Sequence, residues 1–481
     1  MENIKYNRAK IWQIALFSLN NTATNIFFAL TFYLGYFATG FMGVATVFIS
    51  NILTTMRIFD GITDPLVGYL IDRTNGKFGK FRPYMIMGNI IMAITMTLIY
   101  IVTPTLPENM RFPFFLVVYV IYILGYTCQT AVTKAGQACI TNDPKQRPLF
   151  SSFEGGYTLV FLSLILPTYV NGYLLPKYGN AFTLELFREF VFTFMFASAI
   201  LTILSVIGIY QKDRLEFFGT SEVKSNIKFR DYVDIIKNNR AIQTLIVAAS
   251  TDKIALTTAG NAAVGIMVYG IIMGDNTLQS KLALITIIPA FILLQYFAQY
   301  SRKLGIRKGM ITTAWGAIIT YMLLFLLFQF GDPTKISANN LFGFETLAFI
   351  ALWCIGRGLI GASGGLTINA IADCSDYETY RTGKYVPGMM GTLFSFVDKI
   401  ISSISTTIIG VVIAMIGYTN GFPKIGDVNT PQLFYAAMFL FLGLPILGWI
   451  ASVISLKFYP LTAEKMEEIQ KHISDLKNSK R

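Results

Sequence analysis

Arg57, Asp60, Thr63 and Asp64 stand together in the stretch RIFDGITDP, residues 57–65, inside a segment otherwise apolar enough to cross a membrane. Asp60 and Asp64 are i and i+4, so on a helix they point the same way. Two carboxylates about 6 Å apart in a low dielectric repel, and neither ionises easily without a counter-charge. A bound Na⁺ or H⁺ resolves that repulsion, because carboxylate oxygens are the hard ligands a small hard cation prefers. Thr63 adjoins the pair, and Pro65 leaves the carbonyl one turn earlier without its usual helical donor. Arg57, three residues before Asp60, offers the competing arrangement of a structural ion pair. One arginine cannot neutralise both acids.

Ionisable groups inside a membrane span cost roughly 2.5–3.5 kcal/mol each on insertion scales, so they face a cavity or a partner and mark function. Lys134, Asp252, Lys253, Arg357, Asp398 and Lys399 share this distinction with the residues above. Asp398 and Lys399 are neighbours in sequence and do not face each other on a helix, so each pairs across helices or contacts a solute. Asp252 and Lys253 stand in the same relation. The stretch SLNNTATN, residues 18–25, adds amides and hydroxyls at Asn20, Asn21, Thr24 and Asn25. The only histidine, His472, lies in the C-terminal tail, so a proton would have to be carried by carboxylates. The loops hold no nucleophile–base pair and no metal-ligand spacing, which argues against an enzyme and against any cofactor beyond the coupling ion.

The elements that must position these groups are helices. The chain of 481 residues is 54% hydrophobic and only 14% charged, where soluble domains carry about a quarter. Hydropathy predicts an all-α membrane protein of twelve spans: 11–37, 42–71, 83–103, 113–140, 152–175, 190–210, 241–273, 282–300, 309–330, 344–372, 388–417 and 432–456. The first apolar run is too long for a signal peptide and has no small-residue cleavage site. Cys128, Cys139, Cys354 and Cys374 fall within or at the ends of spans and read as packing residues.

With the N-terminus inside, 28 of the 39 Lys and Arg lie in cytoplasmic segments and six in outside loops. The positive-inside rule therefore places both termini in the cytoplasm of a cell (inner) membrane. The net charge of +12 then faces anionic lipid and calls for no nucleic acid. A long polar interval, 211–240, divides an N-terminal bundle (1–210) from a C-terminal one (241–457), with a tail at 458–481. Basic loops recur at matched places, DRTNGKFGKFRP (72–83) after span 2 and SRKLGIRKG (301–309) after span 8. Two six-helix halves of this kind make the major facilitator fold, which binds its solute near mid-membrane between the halves.

The stretch MRIFDGITDPLVGYLIDRTNGKFGKFRPY resembles the melibiose-permease type of carrier, the glycoside–pentoside–hexuronide:cation symporters. The pattern is an aromatic residue, then Asp-x-x-x-Asp-Pro, then a loop reading GKFRP. A second match is ADCSDYETYRTG (372–383), followed by FVDKIISS (396–403) and AMIGYTNG (414–421). The resemblance covers about residues 10–455. It implies that Asp60 and Asp64 are the two acids of a cation site (Na⁺, if sodium-coupled) tuned by Thr63 and Thr127. It implies that Lys399 helps to link ion and sugar sites. It also implies that Asp373, Asp376 and Arg381 form a cytoplasmic gate with the loop at Arg147.

Departures from the family pattern bear on the solute. Galactoside carriers of the family grip sugar hydroxyls with acids on spans 1 and 4. Span 1 here has Asn20, Thr24 and Asn25 instead, span 4 has Thr130, and Lys134 replaces an aromatic residue one turn on. A pocket that loses acids and gains a lysine favours a negatively charged ligand such as a hexuronide. A lysine satisfied by Asp252 or Asp398 leaves a neutral glycoside equally open. The expected activity is cation-coupled symport of a sugar by a functional monomer. The rivals are an ion-independent uniporter or carrier of lipid-like solutes on the same fold, and a non-transporting sensor. A sensor would bring a signalling domain, for which the short tail leaves no room.

Overall fold

Backbone that enters hydrocarbon must satisfy its own hydrogen bonds, and this chain does so with helices. The computed structural model describes residues 8–74, 76–141, 146–214, 235–382, 387–462, 464–469 and 471–472. The helices in the first half are α1 (Ile11–Thr31), α2 (Leu34–Phe41), α3 (Thr46–Arg73), α4 (Arg82–Thr97), α5 (Glu108–Ile140), α6 (Arg147–Val160), α7 (Leu166–Tyr169), α8 (Leu175–Lys177) and α9 (Leu184–Ile209). Those in the second are α10 (Arg240–Ala259), α11 (Ala262–Gly265), α12 (Leu278–Leu304), α13 (Ile306–Phe330), α14 (Phe344–Thr382), α15 (Pro387–Met415), α16 (Pro431–Met438) and α17 (Leu444–Lys457). Wider π-helical turns extend α4, α6 and α11, at Leu98–Val102, Phe161–Ile165 and Ile266–Ile272.

Among the described residues nine helices are long and apolar enough to cross a membrane, or ten if α10 and the Ala262–Ile272 helix, bent by 53°, are one span. Two expected spans, 11–37 and 42–71, are helical yet miss that mark. Polar residues such as Gln13, Asn20, Asn21 and Asn25 dilute α1, which ends at Thr31, and α3 carries Arg57, Asp60 and Asp64. Both segments carry groups singled out from the sequence, Asn20, Thr24 and Asn25 on α1 and Arg57, Asp60 and Asp64 on α3.

The chain parts into two compact units, Met1–Lys224 with Tyr418–Phe422, and Ser225–Gly417 with Pro423–Arg481. Within the first unit α1 packs closely against α9. A Cβ at Gly208 would lie 2.7 Å from the Phe17 nitrogen, so only glycine permits this approach. Side-chain hydrogen bonds then tie the helices together. Asn89 Nδ2 donates to Ser198 Oγ at 2.8 Å and to Thr202 Oγ1 at 3.0 Å, and Gln129 Nε2 donates to Thr202 Oγ1 at 2.9 Å. Ile14, Phe17, Val67, Met85, Val132, Phe150 and Ile209 belong to one buried cluster.

In the second unit α10 packs on α17 and α15, and α14 packs on α12 and α13. Gly361 sits directly against the Leu294 side chain, as close helix packing requires. Side chains added at Gly364 and Gly365 would meet nothing within 4 Å, so these two glycines do not serve that packing. α14 has 39 residues, a length of about 58 Å against about 30 Å of hydrocarbon, so it projects well beyond the bilayer. Its last ten residues, expected as loop from 373, remain helical. Thr379 and Thr382 bond back to Ser375 and Glu378, while Cys374, Tyr377 and Tyr380 pack into a cluster with Ile242, Leu245 and Tyr459. Cys128, Cys139, Cys354 and Cys374 are all buried thiols.

Candidate functional site

α3 and α5 bring Asp60, Thr63 and Thr127 together. Thr127 Oγ1 donates to Asp60 Oδ1 at 3.2 Å, and the two threonine hydroxyls are 2.9 Å apart. Thr63 Oγ1 also bonds the Asp60 carbonyl at 2.9 Å, so one turn of α3 supplies a carboxylate, a hydroxyl and a carbonyl. The other Asp60 oxygen, Oδ2, accepts from Arg57 Nη1 at 3.1 Å. The guanidinium lies 4.8 Å from the Phe28 ring centroid and 5.7 Å from that of Tyr126. Cation–π contact of this kind holds it in place. Asp60 is 2% exposed and the Arg57 side chain 25%, so the acid is sealed and its counter-charge is not. Asp64, one turn further along α3, is half-buried.

A cavity of about 30 Å³ opens beside this group, lined by residues that include Thr31, Met56, Asp60, Tyr119 and Tyr122. It accommodates a water or a small ion and not a sugar ring. Among the described residues no three His, Cys, Asp or Glu side chains gather as a metal cluster. Of the two expected acids Asp60 lines this cavity and Asp64 does not, so a cation seated in it would draw on Asp60 with hydroxyl and carbonyl oxygens. That donor set suits a monovalent ion, or a proton on one carboxylate.

Asn20 and Thr24 are turned to packing. Asn20 is fully buried, with its Nδ2 donating to the Gln129 carbonyl at 2.9 Å and to Thr133 Oγ1 at 2.7 Å, and Thr24 Oγ1 bonds back to the Asn20 carbonyl at 2.9 Å. The Asn20 amide is thus engaged between helices and the Thr24 hydroxyl within its own helix. Asn25 stays half-buried and donates to Thr158 Oγ1 of α6 at 3.3 Å. Thr130 bonds back to the Tyr126 carbonyl at 3.0 Å. The side chains of Lys134 and Arg147 lie outside the described residues.

In the second unit Lys253 of α10 forms an ion pair with Asp398 of α15. Asp398 is thereby engaged in joining helices, and adjacent Lys399 is buried on another side of α15. Asp252 instead neighbours Ser452 of α17, and its Oδ1 is buried without a hydrogen-bond partner among the described residues. Arg381, expected in a gating loop, lies on α14 and grips Glu378 of its own helix through Nη2 at 2.8 Å and Nε at 3.2 Å. Among the described residues Glu378 also accepts from Asn239 Nδ2 at 2.9 Å, and Asn239 Oδ1 caps α10 by accepting from the Ile242 amide. Asp373 and Asp376 are half-buried on the same helix.

Two acids of structural weight were not singled out from the sequence. Asp213, just after α9, accepts from the Lys80 amide at 2.8 Å, the Phe81 amide at 3.1 Å and the Arg82 amide at 3.1 Å, and from Arg82 Nε at 3.2 Å. The GKFRP loop is thus a nest for one carboxylate at the start of α4. Glu154 of α6 accepts from Gln137 Nε2 at 2.9 Å. Its signal was available, since it is a charge inside the expected span 152–175. Asp213 carried no such mark in a loop rich in charge.

Residues 16–463 match the family described as MFS/sugar transport protein. The symporter YnaJ of Bacillus subtilis is 23% identical, over 94% of this chain and 92% of its own. The glucuronide carrier protein homolog of Escherichia coli is 23% identical, over 98% of this chain and 97% of its own. A bacterial homologue of the iron transporter ferroportin, solved in its inward-facing state, superposes with a TM-score of 0.59 at 12% identity, over 94% of this chain and 99% of that one.

Proposed function

Because the chain belongs to the MFS/sugar transport family, we propose that it couples the downhill entry of Na⁺ or H⁺ to the uptake of a sugar or glycoside by alternating access. The observation that carries this reading is a sealed Asp60 whose present counter-charge is the partly exposed Arg57. A cation, or a proton on the carboxylate, takes the place of the guanidinium. Thr127 and Thr63 complete the oxygen shell, and Arg57 has water within reach when it leaves. Exchange of one positive charge for another avoids the cost of an uncompensated buried acid at every stage.

Coupling requires only that ion and solute favour the same conformation. Inward movement of one charge across the membrane releases roughly 2.3 kcal/mol per 100 mV, enough to drive accumulation. The relatives named as symporter and glucuronide carrier support a coupled sugar substrate. The basic bias of the expected cytoplasmic loops supports a cell-membrane location with both termini inside. We take the monomer as the working unit, with Asp64 as second ion ligand and Lys399 as the residue linking ion and solute.

One observation favours a second reading, an ion-independent uniporter: the Arg57–Asp60 pair already satisfies the buried acid. Uptake into proteoliposomes, with and without Na⁺ or a pH gradient, decides between them. Accumulation that follows either gradient supports symport, and equilibration insensitive to both supports the uniporter.

A further inference from the structure

The first unit carries a polar face that the cation site does not use. Glu154 and Thr158 are one turn apart on α6, and Asn21 and Asn25 are one turn apart on α1. Both asparagine amides aim at the same hydroxyl, each with Nδ2 3.3 Å from Thr158 Oγ1. Two NH₂ groups converging on one oxygen at long distance leave donor capacity over. The Glu154 carboxylate has one bond, from Gln137 Nε2 at 2.9 Å to Oε1, and among the described residues its Oε2 accepts none. All five side chains are half-buried, and a Cβ added at Gly155 or Gly156 meets nothing within 4 Å, so this stretch of α6 borders open space.

Amide donors, amide acceptors and an open carboxylate oxygen complement a ligand rich in hydroxyl groups. Each hydroxyl both donates and accepts, and a carboxylate takes two vicinal hydroxyls at once. The same carboxylate repels an anionic ligand. We propose that Glu154, Thr158, Asn21, Asn25 and Gln137 form a sugar-hydroxyl site, and that the solute is an uncharged glycoside. This rests on the sugar-uptake reading above and replaces the leaning toward hexuronides. That leaning rested on a pocket that loses acids and gains Lys134, and Glu154 restores an acid.

The test uses the full-length carrier, with a panel of neutral pentosides and hexosides set against glucuronides. Binding is measured in detergent, and gradient-driven uptake in proteoliposomes. The expected result is a preference for a neutral glycoside. Glu154→Gln should weaken its binding about tenfold or more, as loss of a charged hydrogen bond to a hydroxyl does, and should leave or improve glucuronide binding. Asn25→Ala should weaken neutral binding in the same direction, and size-exclusion profiles and unfolding midpoints guard against misfolding. A preference for glucuronides, or unchanged neutral binding in folded Glu154→Gln, overturns this inference while leaving sugar uptake intact. Failure to bind or move any sugar of either class overturns the transport reading, and this inference with it.

Discussion

Arg57 holds Asp60 by a 3.1 Å ion pair in which the acid is 2% exposed and the arginine side chain 25%. The asymmetry makes the arginine the movable partner. In Arg57→Gln the buried acid loses its counter-charge, a loss of about 3–5 kcal/mol for a buried pair. Bound Na⁺ or a proton should restore part of it. The unfolding midpoint of this variant should therefore rise more with Na⁺ or acid than that of the unsubstituted protein. Equal shifts in both proteins would remove the competition between arginine and cation.

Asp60→Asn and Asp64→Asn should each abolish gradient-driven accumulation while sparing sugar exchange between the two sides of a vesicle. Full accumulation by either variant counts against that residue as an ion ligand.

Thr127 reaches Asp60 at 3.2 Å and Thr63 at 2.9 Å, so Thr127→Val leaves both without that hydroxyl. The valine is near in shape, and the lost bond to a charged group is worth about 1.5–3 kcal/mol. The half-saturating cation concentration should rise at least about tenfold, with sugar affinity at saturating cation little altered.

A side chain at Gly79 would collide with the Asp213 carboxylate, and Gly79 has φ of +88°, a conformation that favours glycine. Gly79→Ala and Asp213→Ala should both loosen the start of α4 by freeing the amides of residues 80–82. Faster hydrogen exchange there and a lower unfolding midpoint are the expected readouts, and native exchange in both variants would contradict the nest.

Removal of either partner of the Lys253–Asp398 pair leaves a charge at membrane depth. Lys253→Met or Asp398→Asn should lower the unfolding midpoint, and the double variant should recover much of the loss. A double variant as unstable as the sum of the singles would mean that the two residues act separately.

The sequence by itself determined that the chain is a bundle of membrane helices and that charge collects at Arg57, Asp60 and Asp64. Both follow from local chemistry, since apolar length sets a span and i, i+3 or i, i+4 spacing sets a face. The Arg57–Asp60 pair was legible for the same reason. Thr63 stood beside the acids in sequence, while its partner Thr127, 64 residues on, was reached through resemblance rather than spacing. Tertiary structure alone decided that Asn20 is consumed between helices while Asn25 and Glu154 stand half-open, that Asp398 binds Lys253, and that Asp213 fills the amide nest of a loop 131–133 residues earlier in the chain. A membrane helix is apolar on nearly every side, so its pattern does not say which way it turns about its own axis. Close packing at glycines such as Gly208 and hydrogen bonds across helices set that rotation, and with it the faces on which the polar side chains meet.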